Sequence, residues 1–417
     1  MNIFEKYITK TSFYKADRGI LHPSYLPENL PHREIEIEHL ASILALSLNG
    51  EKPSNILVFG KTGTGKTAVM RYMERELNNA QKILENMKKV RYVYINCDRV
   101  DTPYSILQNI GNQLIVDWDE RIPFTGWPVD KLYFTVLEKI DEFEGVIIII
   151  LDEIDKLVSK SGDEIIYRIL SMNEDLRYSK LSLLGISNDL MFTELLDPRV
   201  KSRLSEEKIV FSPYNAQQLE NILRDRAEQA LKDGYIEDSV IKLCSAFAAQ
   251  EHGDARRAIS LLRISIEIAE REQAETIKDN HVYKAKNKIE LDCVTETIKT
   301  LPTQSKLILL SVIMHIEANH KKSTTGDIYT TYKILSQKIG VSPLSQRRIS
   351  DLISELDMLG LVHAQIKSFG RHGRTRIIES SVPVSETKNI IYEDEMFESL
   401  TKNSMKNQMC IIQTSLL

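Results

Sequence analysis

The chain has 417 residues, of which 42% are apolar, and a formal net charge of −5. A length of this order predicts about three domains, and the apolar content is sufficient for a core in each of them. The negative net charge excludes a general affinity for polyanions, so any nucleic-acid binding must depend on local basic patches. No stretch approaches the ~20 consecutive apolar residues of a membrane span, and the opening residues lack the pattern of a secretion signal, so we expect a cytoplasmic protein without a membrane partner.

The four cysteines indicate neither a zinc site nor a disulfide framework. Cys97, Cys244, Cys293 and Cys410 show no paired CxxC spacing. We expect most of them to be buried thiols.

An N-terminal segment of mixed composition precedes the first regular pattern. Residues 1–50 contain Pro23, Pro27 and Pro31 among charged and aromatic residues, followed by a helical pattern over 34–48. We expect an arm and a helix that pack on the domain that follows.

A glycine-rich loop comes directly after the apolar strand Ile56–Phe59. It matches the pattern GxxxxGK[ST], and its residues are Gly60, Lys61, Thr62, Gly63, Thr64, Gly65, Lys66 and Thr67. Glycines let the backbone N–H groups surround a phosphate, and the following helix directs its positive end at the same point. We therefore predict a nucleoside triphosphate site in which Lys66 contacts the β- and γ-phosphates and the Thr67 hydroxyl ligates Mg²⁺. The alternative, an ordinary glycine-rich turn, is disfavoured by the strand before the loop and the helix after it.

An acidic pair ends the next strongly apolar strand. Val146–Leu151 is a continuous β-branched run, typical of a strand buried on both faces of a parallel sheet, and Asp152 and Glu153 follow it. At the carboxyl edge of such a sheet, Asp152 can hold Mg²⁺ and Glu153 can polarise the water that attacks the γ-phosphate. A solvated acidic turn is the alternative.

Apolar strands alternate with helical patterns from residue 51 to residue 213. The other predicted strands are Tyr92–Asn96, Leu181–Ile186 and Ile209–Phe211. This alternation is typical of the α/β class with a doubly wound parallel sheet. Asn188 follows one of these strands, where its amide can orient the attacking water or contact the γ-phosphate, although a lone asparagine there is more often a turn former.

Three arginines are candidates for contact with nucleotide phosphates. Residues 214–290 carry only helical patterns, and in one of them Asp254 is the predicted N-cap, which places Arg256 in the first turn, within reach of bound phosphates. Arg199 and Arg203 lie on a short element, and either could act as an arginine finger on a neighbouring subunit. For all three, a solvated surface side chain is the alternative.

The segment 291–385 predicts a helix followed by a basic hairpin. Residues 345–359 form an amphipathic pattern whose apolar stripe is Ile349, Leu352, Ile353, Leu356 and Leu359. Such a helix fits a major groove, with its first residues at base edges and phosphates. Two strand-like pieces follow, and the basic residues of this hairpin are Lys367, Arg371, Arg374 and Arg376. A tip of glycine and arginine fits a minor groove, although a solvated turn or a protein-docking module is also consistent with it.

Together the phosphate loop, the acidic pair, Asn188, Arg203 and Arg256 resemble an AAA+ ATPase with a helical lid. Further segments resemble the archaeal replication initiators, relatives of the eukaryotic origin recognition complex and its helicase-loading partner; these are Pro31–Glu34, a helical insertion at about 101–131, Phe211–Tyr214, Pro343–Arg348 and Leu356–Leu361. The resemblance covers roughly residues 10–385.

The resemblance implies an AAA+ sheet domain with a helical lid and a C-terminal winged helix. It implies ATP or ADP with Mg²⁺ at the phosphate loop, with Tyr214 beside the nucleotide. It also implies that the insertion contacts the DNA backbone through Arg121, Thr125 and Gly126, and that Arg348 joins Gln346 and Arg347 on the recognition helix. The alternative for the insertion is a loop that Phe124 and Trp127 simply anchor to the core.

We therefore expect an ATP-dependent initiator that binds double-stranded origin DNA. The resemblance alone adds the replicative helicase and other initiator subunits or paralogues as partners. Hydrolysis is expected to be slow and switch-like, because the candidate fingers point to a neighbour. The alternative is a signalling or regulatory ATPase whose winged helix binds a promoter or a protein, and the 101–131 insertion argues against it. No role is assigned to residues 386–417.

Overall fold

The computed structural model describes residues 12–83, 87–318, 323–368 and 374–400. The chain forms two compact units, residues 1–285 and residues 286–417. Within the described ranges, no helix has the length and apolar character needed to cross a membrane.

The first unit is built on a five-stranded parallel sheet. In spatial order its strands are β2 (Val90–Asn96), β3 (Val146–Asp152), β4 (Lys180–Ser187), β1 (Ile56–Gly60) and β5 (Glu207–Phe211). All the strands predicted from the sequence for this domain are present, and the doubly wound sheet is confirmed.

Strand β3 is buried on both faces, as its apolar run predicts. Ile147, Ile149 and Leu151 belong to the core on one face, and the residues between them belong to the core on the other. The helices of the first core are α3 (Pro103–Leu114), α4 (Val129–Asp141), α5 (Ile154–Ser161), α6 (Glu164–Ser171) and α7 (Pro198–Leu204), and those of the second are α1 (Glu34–Leu44) and α2 (Lys66–Ile83).

The predicted helix over 34–48 is shorter than expected. The α-helical part ends at Leu44, and the chain continues as a 3-10 turn over Ala45–Asn49. Gly50 ends the turn in the left-handed conformation, with φ of 78°.

Helices follow the sheet and form the lid of the first unit. They are α8 (Ala216–Ala230), α9 (Asp238–Gln250), α10 (Ala255–Glu272) and the start of α11 (Asp279–Thr300), which continues beyond residue 285 into the second unit. The side chain of Asn215 caps α8 and that of Asp254 caps α10, as the sequence predicts for Asp254.

The N-terminal arm contacts the lid as well as the sheet domain. Lys15 N donates to Ala230 O at 2.9 Å, and the ring of Phe13 lies 5.4 Å from that of Tyr235. On the other side, Arg75 of α2 donates to the Glu28 carbonyl at 2.7 Å. The arm therefore joins two parts of the unit.

The second unit has a core of helices and a hairpin. Its elements are α12 (Thr303–Glu317), β6 (Ser323–Thr324), α13 (Thr325–Lys338), α14 (Gln346–Met358), β7 (Val362–Ser368), β8 (Arg374–Ser380) and α15 (Val384–Tyr392). The hairpin strands pair in antiparallel register, with Ser368 opposite Arg374.

Two expectations for this unit change. The predicted apolar stripe of α14 is buried except at Leu359, which is 51% exposed because the helix ends at Met358, so the prediction is wrong for that residue. Ile391, Phe397 and Leu400 are buried in the core of the unit, so the unit continues past residue 385, the predicted end of the winged helix.

Two of the three described cysteines are buried thiols, as predicted. Cys97 and Cys244 are buried, whereas Cys293 is exposed. Cys410 lies outside the described residues.

Candidate functional site

The phosphate loop and the acidic pair meet at the carboxyl edge of the sheet. β1 leads into the loop over 60–67, β3 ends at Asp152, and β4 ends one residue before Asn188. Because β4 lies between β1 and β3, these three strand ends are neighbours. The sheet thus brings together residues that are far apart in the sequence.

The Lys66 ammonium lies within the loop and has three acceptors. Nζ donates to the carbonyl oxygens of Gly60 at 2.6 Å and Lys61 at 2.8 Å, and to Asn188 Oδ1 at 2.9 Å. Burial lowers the pKa of Lys66 to about 8, although Asp152 acts in the opposite direction. An anionic phosphate beside this ammonium would favour its charged form.

Asp152 is 6% exposed and accepts three hydrogen bonds. Its Oδ2 accepts from Thr67 Oγ1 at 2.9 Å and from the Tyr94 hydroxyl at 2.6 Å, and its Oδ1 accepts from the Glu153 backbone N–H at 3.0 Å. Burial and then the bond to Asp152 raise the pKa of Tyr94, so the phenol keeps its proton.

Thr67 and Asp152 fit a magnesium site that is completed by phosphate. A carboxylate and a hydroxyl are the usual protein contribution to such a site, and the remaining oxygens come from phosphates and water. Among the residues that the structure describes, no group of three or more His, Cys, Asp or Glu side chains could hold a metal ion by itself.

Glu153 has an uncommon backbone conformation. Its φ of 58° and ψ of 43° place it in the left-handed region at the start of α5, which costs a non-glycine residue about 1 kcal/mol. Burial, followed by the charges of Asp98 and Asp152, raises the pKa of this carboxyl. A carboxylate with raised basicity in this position is suited to accept a proton from water.

Asn188 is held by the chain around it. The Ser187 hydroxyl donates to Asp155 Oδ1 at 3.0 Å, and the Asn188 backbone N–H donates to the same oxygen at 3.4 Å. Asp155 lies on α5, directly after the acidic pair. It therefore connects the end of β4 to the end of β3.

The first turn of the lid helix α10 touches the phosphate loop. Ala255 N donates to Gly63 O at 3.2 Å. Gly63 has φ of +72°, and the Asp254 carboxylate occupies the space where a Cβ on Gly63 would lie. Arg256 is exposed and lines the same cavity as the loop.

A cavity of about 660 Å³ lies between the arm, the phosphate loop and the lid. Arm residues 22–31 form one wall, and α8 and α10 supply another, including Arg226 and Arg256. Arg226 donates to the carbonyls of Ile20 at 2.7 Å and Tyr25 at 3.0 Å. The lid therefore fixes the arm wall directly.

Tyr214, which is predicted to lie beside the nucleotide, lines this cavity. Its hydroxyl accepts a hydrogen bond from Arg33 Nε at 2.9 Å, and the Arg33 guanidinium lies 4.0 Å from its ring centre. A Cβ on Gly65 of the phosphate loop would come within 2.8 Å of the same hydroxyl. Arg33 is 4% exposed, so a buried arginine holds the Tyr214 side chain in the cavity wall.

The two candidate fingers are both paired within the chain. Arg203 Nη1 lies 2.9 Å from Glu174 Oε1, and Arg199 Nε lies 3.1 Å from Asp197 Oδ1. Both guanidinium groups also lie beside the ring of Tyr167, at 5.2 Å for Arg199 and 5.7 Å for Arg203. These partners are partly solvent-exposed, so a stronger anion could replace them.

The first turn of α14 presents the predicted recognition residues to solvent. Gln346, Arg347 and Arg348 are exposed. Arg348 lies 4.0 Å from Asp351 and 3.9 Å from Glu355. Arg347 is thus the more available cation of the pair for an outside partner.

The hairpin arginines differ in their positions. Arg376 Nη1 donates to Ser350 O at 3.2 Å and to Ser354 Oγ at 2.8 Å, so it joins β8 to α14. Lys367 is exposed on β7, and Arg374 begins β8. Arg371, at the predicted tip, lies outside the described residues.

The insertion between β2 and β3 consists of α3 and a largely exposed loop after it, which Ile122 anchors. Ile122 is 2% exposed, and its backbone N–H and carbonyl both bond to the Asn112 side chain. Arg121, Thr125 and Gly126 are exposed, with the Arg121 guanidinium 4.3 Å from the Trp118 ring. The side chain of Phe124 is 84% exposed, so it does not anchor the loop to the core. Trp127 packs against the core, so the alternative of an anchored loop holds in part for this residue.

Comparison with known proteins places these features in one family. Models of three domains match: the AAA ATPase domain over residues 29–175, the Cdc6 AAA+ ATPase-type lid domain over 220–287 and the CDC6 C-terminal winged helix domain over 296–390. ORC1-type DNA replication protein 1 of Methanosarcina mazei is 49% identical over 411 residues, covering 98% of this chain and 97% of that protein. The chain belongs to the ORC1-type DNA replication proteins.

Other ORC1-type relatives agree. The protein of Pyrococcus furiosus is 47% identical over 407 residues, 97% of this chain and 96% of that protein. The solved structure of the Aeropyrum pernix Orc1 protein in complex with DNA shares 43% identity, covers 94% of this chain and 100% of that chain, and has a TM-score of 0.78. These matches confirm the predicted family and the AAA+ fold with lid and winged helix, and they identify an ATPase that acts as a replication initiator.

Several contacts of this ORC1-type site were not predicted from the sequence. Tyr94, Asp155, Arg33 and Asp254 hold the predicted residues in place, through Asp152, Asn188, Tyr214 and Gly63 respectively. Asp155 follows the acidic pair by two residues, Arg33 lies in the segment Pro31–Glu34, and Asp254 is the predicted N-cap of α10. None of these patterns indicates which distant residue the side chain contacts.

Proposed function

We propose that this chain is an ATP-dependent initiator that binds Mg²⁺ and ATP at the phosphate loop, binds double-stranded origin DNA, and helps to recruit the replicative helicase. Hydrolysis is slow and acts as a switch. The proposed domains are the arm and helix at 1–50, the AAA+ domain at 51–213, the lid at 214–290 and the winged helix at 291–385, to whose core Ile391, Phe397 and Leu400 also belong.

One observation carries the nucleotide part of the proposal. Lys66, Thr67 and Asp152 lie together at the sheet edge, and Thr67, with Gly63 and Gly65 of the loop, lines a cavity of about 660 Å³, which is large enough for a drug-sized ligand. In the proposal the loop 60–67 surrounds the phosphates, Lys66 binds the β- and γ-phosphates, and Tyr214 lies beside the nucleotide. Thr67 and Asp152 hold Mg²⁺, which supplies positive charge to the phosphates.

In the proposed hydrolysis, a carboxylate and an amide of this chain act on the attacking water and the γ-phosphate. Glu153 accepts the proton of the attacking water, and its raised pKa supports that role. Asn188 orients the water or contacts the γ-phosphate, and its bond to Lys66 supports a position at that phosphate. Arg256, which lies on the lid helix α10, neutralises the negative charge of the phosphates.

A neighbouring subunit completes the site. Arg203, or Arg199 in its place, reaches the γ-phosphate of the next molecule, as an arginine finger does. The exposure of both side chains supports this role, at 42% for Arg203 and 72% for Arg199. An isolated chain therefore turns ATP over slowly.

Each unit of the chain supplies one contact to DNA. In the winged helix, Gln346, Arg347 and Arg348 enter the major groove, and the basic residues of the hairpin, Lys367, Arg371, Arg374 and Arg376, approach the backbone and minor groove. In the insertion, Arg121, Thr125 and Gly126 approach the DNA backbone. The related Aeropyrum pernix Orc1 protein has been solved in complex with DNA, which supports DNA as the ligand.

Footprinting on genomic fragments tests the proposal. We expect protection of more than the ~10 base pairs that a single recognition helix spans in one helical turn. Gly126→Ala should weaken DNA binding and leave ATP affinity unchanged, because Gly126 has φ of +102° at an exposed position. Gly234→Ala is the matched control, since Gly234 has φ of +82° and likewise has no atom within 4 Å of a Cβ.

The outcome that would contradict the proposal is equally specific. A footprint of about one helical turn, unchanged when residues 101–131 are replaced by a short linker, would leave the winged helix as the sole DNA contact. That result would favour a regulatory ATPase that binds promoters.

A further inference from the structure

The hydroxyl of Tyr94 bonds to the carboxylate that faces the phosphate loop. Tyr94 lies near the end of β2, and β3 is the neighbouring strand, with Asn96 paired to Asp152. The tyrosine hydroxyl donates to Asp152 Oδ2 at 2.6 Å. Tyr94 is partly buried and packs against the core on the α2 side of the sheet.

The same oxygen of Asp152 also accepts from the residue proposed to ligate Mg²⁺. Thr67 Oγ1 donates to Oδ2 at 2.9 Å, and the Glu153 N–H donates to Oδ1 at 3.0 Å. A carboxylate has two oxygens with about four lone-pair positions. With two donors on Oδ2 and one on Oδ1, about one position is left, on Oδ1.

Without Tyr94, rotation of this carboxylate would be less restricted. The terminal torsion of an aspartate has a broad energy profile, so hydrogen bonds decide its orientation. Of the three donors, Thr67 is itself a proposed metal ligand and Glu153 N–H belongs to the strained turn after β3. Tyr94 is the donor that comes from a separate strand of the sheet.

The tyrosine ring is also in contact with the nucleotide cavity wall. The guanidinium of Arg71 lies 5.8 Å from the centre of the Tyr94 ring, and Arg71 lines the cavity. The ring is therefore held between the core and a cation of the cavity.

We propose that Tyr94 is a positioning residue for the magnesium-binding carboxylate of Asp152. It fixes the orientation of Asp152 before the metal and nucleotide bind, and it touches neither of them. The inference rests on the proposed Mg²⁺ site at Thr67 and Asp152. Hydrogen-bond partners behind metal ligands typically contribute 10–100-fold to metal affinity, which sets the expected size of the effect.

Tyr92 on the same strand supplies a matched control. It lies two residues before Tyr94, so both side chains are on the same face of β2. Its hydroxyl is buried and has no hydrogen-bond partner among the described residues. Tyr92→Phe thus removes a buried hydroxyl from the same strand without affecting Asp152.

The test measures ATP affinity of the full chain by calorimetry, once in excess Mg²⁺ and once in EDTA. The ratio of the two dissociation constants gives the coupling between metal and nucleotide. For Tyr94→Phe we expect this ratio to fall about ten-fold, with the affinity in EDTA unchanged. For Tyr92→Phe we expect the ratio of the two dissociation constants to equal that of the unmodified protein.

Different results separate the possible failures. A ratio near one in the unmodified protein would reject the proposed Mg²⁺ site itself. A normal Mg²⁺ effect in Tyr94→Phe would reject the positioning role alone, and so would an equal loss of affinity in both conditions.

Discussion

The carboxylate of Asp254 lies against the backbone of Gly63, so that a Cβ on this glycine would come 1.7 Å from Asp254 Oδ1. Asp254 caps the lid helix α10, and Gly63 is in the middle of the phosphate loop. The lid and the loop are thus in direct contact through a residue that has no side chain. Any substitution of Gly63 must move one of them.

Gly63→Ala is expected to lower ATP affinity by about ten-fold, equivalent to about 1.4 kcal/mol. The added methyl group displaces the first turn of α10 and with it Arg256. Gly162→Ala is the control: its φ of +74° matches the +72° of Gly63, but a Cβ there meets no atom within 4 Å. Calorimetric titration with ATP that gave equal losses for both variants would show that backbone strain, not the lid contact, is responsible.

Glu153→Gln is expected to keep ATP binding and to lower the turnover number by about 10²–10⁴-fold, the usual contribution of general acid–base catalysis. The amide keeps the shape of the side chain but cannot accept the proton. Glu144→Gln is a suitable control, because Glu144 also has a positive φ, 54°, and lies before the opposite end of β3. ATP binding and steady-state hydrolysis measured on the same samples decide the matter; an unchanged turnover in Glu153→Gln would remove this residue from the mechanism.

Arg203→Ala mixed with Lys66→Ala should recover ATP hydrolysis on DNA that neither variant shows alone. The first variant keeps an intact ATP site, and the second still presents Arg203 to its neighbour. We also expect Glu174→Gln to raise the activity of adjoining molecules, since Glu174 pairs with Arg203 within the chain. The control is the unmodified protein, whose ATPase rate per molecule should rise with its concentration. If it does, and the mixture is still no more active than its components, Arg203 does not act in trans. The same mixing experiment with Arg199→Ala tests the second candidate.

Arg376→Gln is expected to destabilise the winged-helix unit by about 1.5–3 kcal/mol, the range for hydrogen bonds to charged groups. Its guanidinium holds Ser350 and Ser354 of the recognition helix. Arg347→Gln, by contrast, should leave stability unchanged and reduce the slope of log affinity against log salt by about one, as for a single phosphate contact. Thermal unfolding and salt-dependent DNA binding distinguish the two variants. A reduced slope with normal stability for Arg376→Gln would show that Arg376 contacts DNA and does not stabilise the unit.

The local parts of the site could be predicted from the sequence. The phosphate loop, the acidic pair and the strands that carry them are short patterns whose chemistry depends on neighbouring residues. The continuous β-branched run before Asp152 identified a strand buried on both faces, and parallel strands then placed Asn188 at the same edge. No pattern of this kind exists for contacts between distant segments.

The errors and omissions share this cause. The apolar period of α14 continues to Leu359, but the helix ends one residue earlier and Leu359 turns to solvent. Arg376, which the sequence predicts as a DNA contact, also bonds to the adjacent helix, and no pattern in the sequence indicates that bond. The bonds of Tyr94 to Asp152 and of Arg33 to Tyr214 join residues 58 and 181 positions apart, and only the folded chain brings them together.

The order of the strands has a consequence for how the molecule can signal its bound nucleotide. The phosphate loop, the end of β4 and Asp152 belong to three adjacent strands, which in any sheet keep a spacing of about 4.8 Å. This part of the site is a fixed frame, and it cannot widen or narrow as ATP becomes ADP. What differs between the two states must therefore be recorded by the parts attached from outside the frame: the arm, the lid with Arg256, and the arginine that we propose comes from the next molecule.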